Sequence, residues 1–297
     1  MGEKPAVCIV GSINMDLTIT TNKMPMQGET VLGNDFATYP GGKGANQAVA
    51  AARLGANVNM IGAVGNDSFG KTLLNHLGAE GVNVEGIITN TDQPTGIANI
   101  ILSEDDNRII VAPGANNGVV SALIEKHREL IKQSDVVLLQ LEIPMEAVVH
   151  TLKLANELNV PVIVNPAPYQ TLPDALLTNA AFLTPNDIEV ESIKKETLYD
   201  SIQEKLIVTQ GDQGVQFFDN GKKQHVPSHQ VVVKDTTGAG DTFNGALATQ
   251  VGKGIPLKQA VEFANAAAAL SITKLGAQSG MPQKQAVEQF LLERSDS

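Results

Sequence analysis

Three stretches of the chain hold side chains suited to moving a phosphate onto a polyhydroxy compound. The first is Asp235-Thr-Thr-Gly-Ala-Gly-Asp-Thr-Phe-Asn-Gly-Ala-Leu. Gly238, Ala239 and Gly240 precede an apolar helical pattern, and small residues there let backbone N–H groups converge on an anion. Asp241 falls in the first helical turn. A carboxylate beside a bound phosphate is repelled by it, so the position suits a general base that takes a proton from an attacking hydroxyl. The plain alternative is a helix cap. The second stretch is Pro40-Gly-Gly-Lys-Gly-Ala-Asn-Gln-Ala. Its glycines, Gly42 among them, allow close backbone approach, and Lys43 and Asn46 add donors for a polyol. The third, Gly11-Ser-Ile-Asn-Met-Asp, contributes Asn14 and Asp16, and Glu142 closes a separate apolar run.

These residues need a scaffold that brings them to one edge. Branched apolar runs at 6–10, 58–64, 136–141, 160–164, 181–183 and 206–209 read as strands buried on both faces, as in a parallel sheet. Helical patterns lie between them: 46–54 stopped by Gly55, 69–77 stopped by Gly78, and helices whose first turns hold Pro144, Pro256 and Pro282. The alternation predicts an α/β fold, a doubly wound, mostly parallel sheet flanked by helices, whose ligands bind at the carboxyl ends of the strands. Residues 17–39 and 96–112 break the rhythm as alternating strands, the second with a turn at 103–107. They predict a small β-sheet lid. Asn220-Gly221 predicts a hairpin turn. No linker or repeat divides residues 1–297, which are expected to form one α/β domain with this lid.

Composition removes whole classes of function. With 21 basic and 32 acidic residues the formal charge is −11, so no cationic surface is available for nucleic acid. No apolar run approaches the ~18 residues of a membrane span, and residues 1–5 lack a signal-peptide core, so a cytoplasmic location is expected. The single Cys8 excludes an internal disulfide and reads as a core residue. The histidines His76, His127, His150, His225 and His229 fall in no metal-ligand spacing.

Taken together, the two glycine-rich stretches resemble the two signatures of the PfkB-type carbohydrate kinases. Gln140-Leu-Glu, Asn165-Pro-Ala-Pro, Thr184-Pro-Asn and Gly276-Ala-Gln follow in family order. The likeness spans nearly the whole chain, and Lys43 with Gly276-Ala-Gln points to the branch that uses ATP to phosphorylate D-ribose on O5. The resemblance implies that Asn14, Asp16, Gly42, Lys43, Asn46 and Glu142 bind the sugar. It implies Asp241 as catalytic base and Gly238, Ala239 and Gly240 as anion hole. Asn186 and Glu189 correspond to an Asn-x-x-Glu element acting on magnesium and phosphate. Thr209, Gly211, Gly214 and Asn265, with Gly240, fall on the nucleotide side. Asp235, Thr237, Ser271, Lys274, Gly276 and Gly280 correspond to a monovalent-cation site, with potassium the expected ion. Family members pair through the lid, so a homodimer is expected. The sequence departs from the family pattern twice: glycine replaces a hydroxyl residue at 280, and the segment 188–206 is about a helix short.

Rival readings are a kinase for another sugar, a nucleoside or a keto-sugar acid, and a sugar-binding regulator without catalysis. A third rests on Gly65-Asn-Asp-Ser-Phe-Gly-Lys71-Thr72. It satisfies the P-loop pattern, follows a strand and opens a helix. No apolar run, however, ends in the Asp that would hold magnesium in such an enzyme.

Overall fold

The computed structural model describes residues 3–103 and 106–295. Its strands are β1 (Ala6–Val10), β2 (Asn14–Thr20), β3 (Asp35–Gly41), β4 (Asn57–Gly65), β5 (Val82–Asn90), β6 (Gly96–Ser103), β7 (Asp106–Ala112), β8 (Val136–Leu139), β9 (Val162–Val164), β10 (Phe182–Leu183), β11 (Ile207–Thr209), β12 (Val215–Asp219) and β13 (Lys222–Val226).

Six of them form a parallel sheet in the order β10-β9-β8-β1-β4-β5. Strand side chains alternate between faces, and β1 divides its residues accordingly. Val7 and Ile9 join the core that includes the helices Lys43–Arg53, Ala239–Gly252 and Leu257–Ser271. Cys8 and Val10 join the opposite core, with the helix Met145–Glu157. The sheet is therefore covered on both faces, which explains its continuous apolar runs. Burial pushes the Cys8 thiol up to about 12, as a core residue requires.

Some local expectations shift. The run 206–209 does not extend the parallel sheet as a regular strand. Its β11 opens an antiparallel sheet with β12 and β13, touching the main sheet through isolated bridges Leu183–Leu206 and Asn186–Thr209. Strand β5, a half-buried edge strand absent from the expected set, closes the other side. The helix Ser68–Ala79 runs through Gly78 and ends before Gly81, whose φ of +83° supplies the left-handed stop. Pro144 and Pro256 sit at the caps with extended ψ, one residue before their helices. The short segment 188–206 holds the helices Asp187–Ile193 and Tyr199–Ile202 and one 3₁₀ turn. Asn220 and Gly221 both have positive φ, as a two-residue hairpin turn between β12 and β13 demands.

Strands β3-β2-β6-β7 form a separate four-stranded sheet, as the broken rhythm predicts. Its central pair, β2 with β6, is parallel, and the outer pairs are antiparallel. The turn expected at 103–107 lies partly outside the described residues.

One glycine contact fixes how closely two of the helices meet. At Gly245 the helix Ala239–Gly252 presses on the helix Lys43–Arg53: a Cβ there would lie 2.7 Å from Ala50 Cβ and 2.7 Å from the Gln47 carbonyl oxygen. Any side chain at 245 separates the two helices. Gly245→Leu should therefore destabilise the protein by about 1–3 kcal/mol, the usual cost of overpacking a core. Urea unfolding followed by circular dichroism measures it, and unchanged stability would show that the helices part freely.

Candidate active site

The helix contact places Asp241 against the first two turns of the helix Lys43–Arg53. Asp241 is buried. Its Oδ2 accepts a hydrogen bond from Asn46 Nδ2 at 2.9 Å, and its Oδ1 accepts one from Gln47 Nε2 at 3.0 Å. Burial pushes the Asp241 carboxyl above the usual carboxylate range. The Lys43 ammonium and the two amide donors pull against that shift, and Glu142 adds to it. The result is a proton acceptor more basic than a surface aspartate.

The amides that hold Asp241 are themselves held. Gln140 Nε2 donates to Gln47 Oε1 at 2.6 Å, and Gln47 Nε2 also reaches Asn165 Oδ1 at 3.2 Å. Asn165 Nδ2 donates to the Thr184 carbonyl at 3.1 Å, and the Thr184 hydroxyl donates to Asn244 Oδ1 at 2.5 Å. On the other side Gln278 Nε2 donates to Asn46 Oδ1 at 2.9 Å. Gln47, Asn165, Thr184, Asn244 and Gln278 are missing from the site as read from sequence. All five lie within the quoted motifs, but their side chains meet only through contacts between distant segments.

Asp241 lies on a cleft of about 220 Å³ lined by Lys43, Asn165, Ala167, Thr184, Asn186, Glu189, Thr209, Gly238, Gly240, Asp241 and Asn244. Gly238, at φ +78°, opens the helix Ala239–Gly252 without a side-chain cap. A Cβ at Gly238 would lie 2.9 Å from Ala277 Cα, whereas one at Gly240 would meet nothing within 4 Å. The Gly240 side of the turn thus faces open space, while the Ala239 amide donates to the Thr236 carbonyl at 3.2 Å. An uncapped helix N-terminus facing a cleft is suited to an anion. The P-loop-like turn is the opposite case. Asp67 Oδ1 accepts from the Gly70 amide at 2.8 Å and from the Thr95 hydroxyl at 2.7 Å, and its Oδ2 accepts from the Thr95 amide at 2.7 Å. Burial works to raise the Asp67 carboxyl, but these donors outweigh it and hold it low. A carboxylate of the chain itself fills the place a phosphate would take, and Lys71 is exposed.

The polar edge next to Asp241 gathers the remaining charges. Glu142 accepts from the Ser12 hydroxyl at 2.6 Å and from the Lys43 amide at 3.1 Å. Burial alone would lower the Lys43 ammonium, but Asp241, Glu142, Glu189 and Asp16 together hold it above its ordinary value. Asp16, on β2, is pushed up to about 7 by burial first, then by Glu142 and Asp241, with Lys43 opposing. Gly41 leaves Asp16 its room, because a Cβ there would lie 2.3 Å from both carboxylate oxygens. Asn14 is buried, and its Oδ1 accepts from Asn116 Nδ2 at 2.7 Å. Asn116 also accepts from the Ile13 amide at 2.9 Å, so it anchors the turn between β1 and β2. Gly42, at φ +88°, opens the helix Lys43–Arg53, and a Cβ there would strike the Asn14 amide at 2.7 Å.

The other expected positions fall around this centre. Asn186 and Glu189 form a capping box on the helix Asp187–Ile193, with Asn186 N to Glu189 Oε2 at 2.9 Å and Glu189 N to Asn186 Oδ1 at 2.8 Å. Burial raises the Glu189 carboxyl, against the Asn186 amide and Lys43. Gly211 and Gly214, both with positive φ, shape the loop between β11 and β12 beyond Thr209. Asn265 Nδ2 ties its helix to the Pro227 carbonyl at 2.8 Å. Gly211, Gly214 and Asn265 lie outside the cleft lining. Asp235 brings the last group together: its Oδ1 accepts from the Thr237 amide at 2.9 Å and its Oδ2 from the Gly276 amide at 2.8 Å. At Gly280 a Cβ would lie 2.2 Å from the Ser271 carbonyl oxygen. Glycine is thus required by this packing, and a hydroxyl residue would displace that carbonyl. Lys274 is exposed.

Asp16 makes a stability prediction with a definite sign. Its folded pKa lies above that of an unfolded aspartate, so the folded state binds more protons between about pH 4 and pH 7. The cost of ionising it grows across that window and is complete above it. Asp16→Asn should therefore raise stability at pH 8 by about 1–3 kcal/mol and leave it unchanged at pH 3.5. Each pH unit of the window is worth ~1.4 kcal/mol, and partial exposure screens some of it. Thermal unfolding at the two pH values measures the difference; equal effects at both would remove the coupling.

Comparison with known proteins identifies the family. A sequence profile described as "pfkB family carbohydrate kinase" matches residues 4–284. The chain is 45% identical to the ribokinase of Bacillus subtilis (strain 168) over 289 residues, 96% of this chain and 99% of the relative. It superposes on the Thermotoga maritima ribokinase with a TM-score of 0.89 at 36% identity, covering 97% and 99% of the two chains. It superposes equally, at 0.89 and 30% identity, on the Arabidopsis thaliana ribokinase complexed with ribose and ATP, again over 97% and 99%. With a matching profile over nearly its full length and a relative this similar from end to end, the chain belongs to the pfkB family of carbohydrate kinases.

Proposed function

We propose that this chain transfers the γ-phosphoryl group of ATP to O5 of D-ribose, giving ADP and D-ribose 5-phosphate. The observation that carries the reading is Asp241: a buried, doubly hydrogen-bonded carboxylate of raised basicity beside an open helix N-terminus. The full-length likeness to ribokinases, one of them complexed with ribose and ATP, supports the substrates.

In this reading Asp241 takes the proton from the 5-hydroxyl as that oxygen attacks. The Asn46 and Gln47 amides aim its two oxygens. Backbone N–H groups of the Gly238–Gly240 turn, with Lys43, balance charge on the transferring group. Asn14, Asp16, Gly42, Lys43, Asn46 and Glu142 pair the sugar hydroxyls, and Thr209, Gly211, Gly214 and Asn265 border the nucleotide. Among the described residues no cluster of three or more His, Cys, Asp or Glu could hold a metal by itself. The oxygen donors of Glu189 and Asn186, which line the same cleft as Asp241, fit the protein side of a magnesium ion carried on ATP phosphates; when bound, the ion would neutralise phosphate charge. The contacts of Asp235 with Gly276 and with the Ile272 carbonyl, and of Gly280 with the Ser271 carbonyl, support a potassium site there, built from carbonyls and including Thr237 and Lys274. The four-stranded sheet serves as a lid that excludes water. Exposed Phe36, Ile109 and Ile110 on that sheet support pairing with a second copy. An ATP-consuming reaction and an unpaired buried thiol support a cytoplasmic location.

Asp241→Asn keeps the shape but cannot accept the proton, so turnover should fall by about 10²–10⁴, as general-base loss typically does. Lys71→Ala should leave turnover within about twofold, since that lysine faces solvent. Coupled ADP release measures both, and the reverse pattern would restore the P-loop reading.

For the sugar, a site built to pair hydroxyls leaves buried polar groups unsatisfied when one is missing. With a panel of sugars, 2-deoxyribose should show a kcat/KM at least about tenfold below ribose. Equal efficiency with fructose or adenosine would move the chain to another branch of the family.

A further inference from the structure

His76 has no part in the chemistry above, yet it ends a hydrogen-bond chain that begins on Asp241. We propose that His76 is a positioning residue for Asp241, acting through Gln278 and Asn46; the inference rests on the reading of Asp241 as the base.

The direction of each hydrogen bond follows from one fact: an ionised carboxylate can only accept. Asp241 Oδ2 therefore requires the NH₂ of Asn46, at 2.9 Å. The Asn46 Oδ1 is then turned toward Gln278, which must present its own NH₂, at 2.9 Å. Gln278 Oε1 is left facing His76 Nε2 at 2.6 Å, and so His76 must carry its proton on Nε2. The three inner members are buried, while His76 is half-buried on the helix Ser68–Ala79. Side-chain amides have two nearly isosteric orientations, and the carboxylate at the inner end and a donor at the outer end select the same one. An acceptor at position 76 would draw the Gln278 NH₂ outward and set its oxygen against Asn46 Oδ1. Asn46 would then turn its oxygen onto the Asp241 carboxylate. Hydrogen bonds in such a chain polarise one another, which strengthens the set.

The Gln278 backbone has a second support: Arg53 donates to the carbonyls of Gln278 and Met281 and pairs with Glu80 through Nε at 2.8 Å and Nη2 at 2.6 Å. Glu80 also lies close enough to His76 to interact with it electrostatically. Arg53 thus holds the backbone of residue 278, while Asn46 and His76 hold its side-chain amide from either end. The other oxygen of Asp241 depends on Gln47, in a network that does not include His76.

A kinetic double-mutant cycle tests the proposal. His76→Glu, an acceptor at that position, should lower kcat about tenfold with KM for ribose and ATP within about twofold, an effect of the size expected for residues coupled through a network. His76→Gln, which retains an N–H donor of similar reach, should restore kcat to within about twofold of the parent. In the Asp241→Asn background the same His76→Glu change should alter the residual kcat by less than about twofold, because the acceptor that the chain serves is gone. Thermal unfolding of each variant verifies folding. Should His76→Glu not fold, His76→Leu, which only removes the donor, should give a loss of about threefold with the same dependence on Asp241. A parent-like kcat for the folded variant, an equal loss in His76→Gln, or an undiminished loss in the Asp241→Asn background would overturn the role of His76 and leave Asp241 as base. Normal turnover of Asp241→Asn alone would instead overturn the base, and the positioning role with it.

Discussion

A carboxylate taken out of water must find hydrogen-bond donors or lose its charge. Asp241 meets this with the NH₂ groups of Asn46 and Gln47, one for each oxygen. Neighbouring residues of a helix point in directions about 100° apart, so two adjacent amides can grip one carboxylate only if its helix lies very close. That closeness comes from the glycine contact at Gly245 against Gln47 and Ala50. The amides in turn need partners of their own, which commits Gln140, Asn165, Thr184, Asn244 and Gln278 to fixed orientations. A half-satisfied buried network is worse than an apolar core. Each amide orientation is therefore tied to the next, with the Gln140 Oε1 left buried at the end of the network.

The two glycine-containing helix starts show how the same backbone feature takes opposite roles. Both the Gly65–Gly70 turn and the Gly238–Gly240 turn lead into helices whose first N–H groups lack intrahelical partners. In the first, Asp67 supplies the negative charge from within the chain, and three hydrogen bonds hold it there. In the second no side chain caps the helix, and the carboxylate of Asp241 points instead to Asn46 and Gln47. The second turn is thus left open, while the first is already filled by a carboxylate of the chain. The difference lies in where one side chain turns, not in the glycine pattern.

The charges around Lys43 follow a related balance. Four carboxylates, Asp241, Glu142, Glu189 and Asp16, act on one ammonium. Lys43 cannot neutralise all of them, so burial shows in the carboxyls: Asp241, Glu189 and Asp16 are all raised. A largely buried site with more acid than base has acceptors to spare, which suits the polyol of the proposed function.

Much was legible from the chain alone. Apolar runs long enough to be buried on both faces specify a parallel sheet, and the broken rhythm at 17–39 and 96–112 specifies a separate sheet, because both follow from local periodicity. The positions of Asp241, Lys43 and Asn46 were legible because their motifs combine glycine with charge, a costly pairing in a plain core. What the tertiary structure alone decided depends on contacts between distant segments. Gln278 meets Asn46 across 232 positions and Gln47 meets Asp241 across 194, and no periodicity encodes such a meeting. The parallel pairing of β2 with β6, the departure of β11 from the main sheet, and the filling of the P-loop-like turn by Asp67 are of the same kind. Side-chain type and spacing state what a segment can bury or donate; which partner receives it is settled only when helices and strands close on one another.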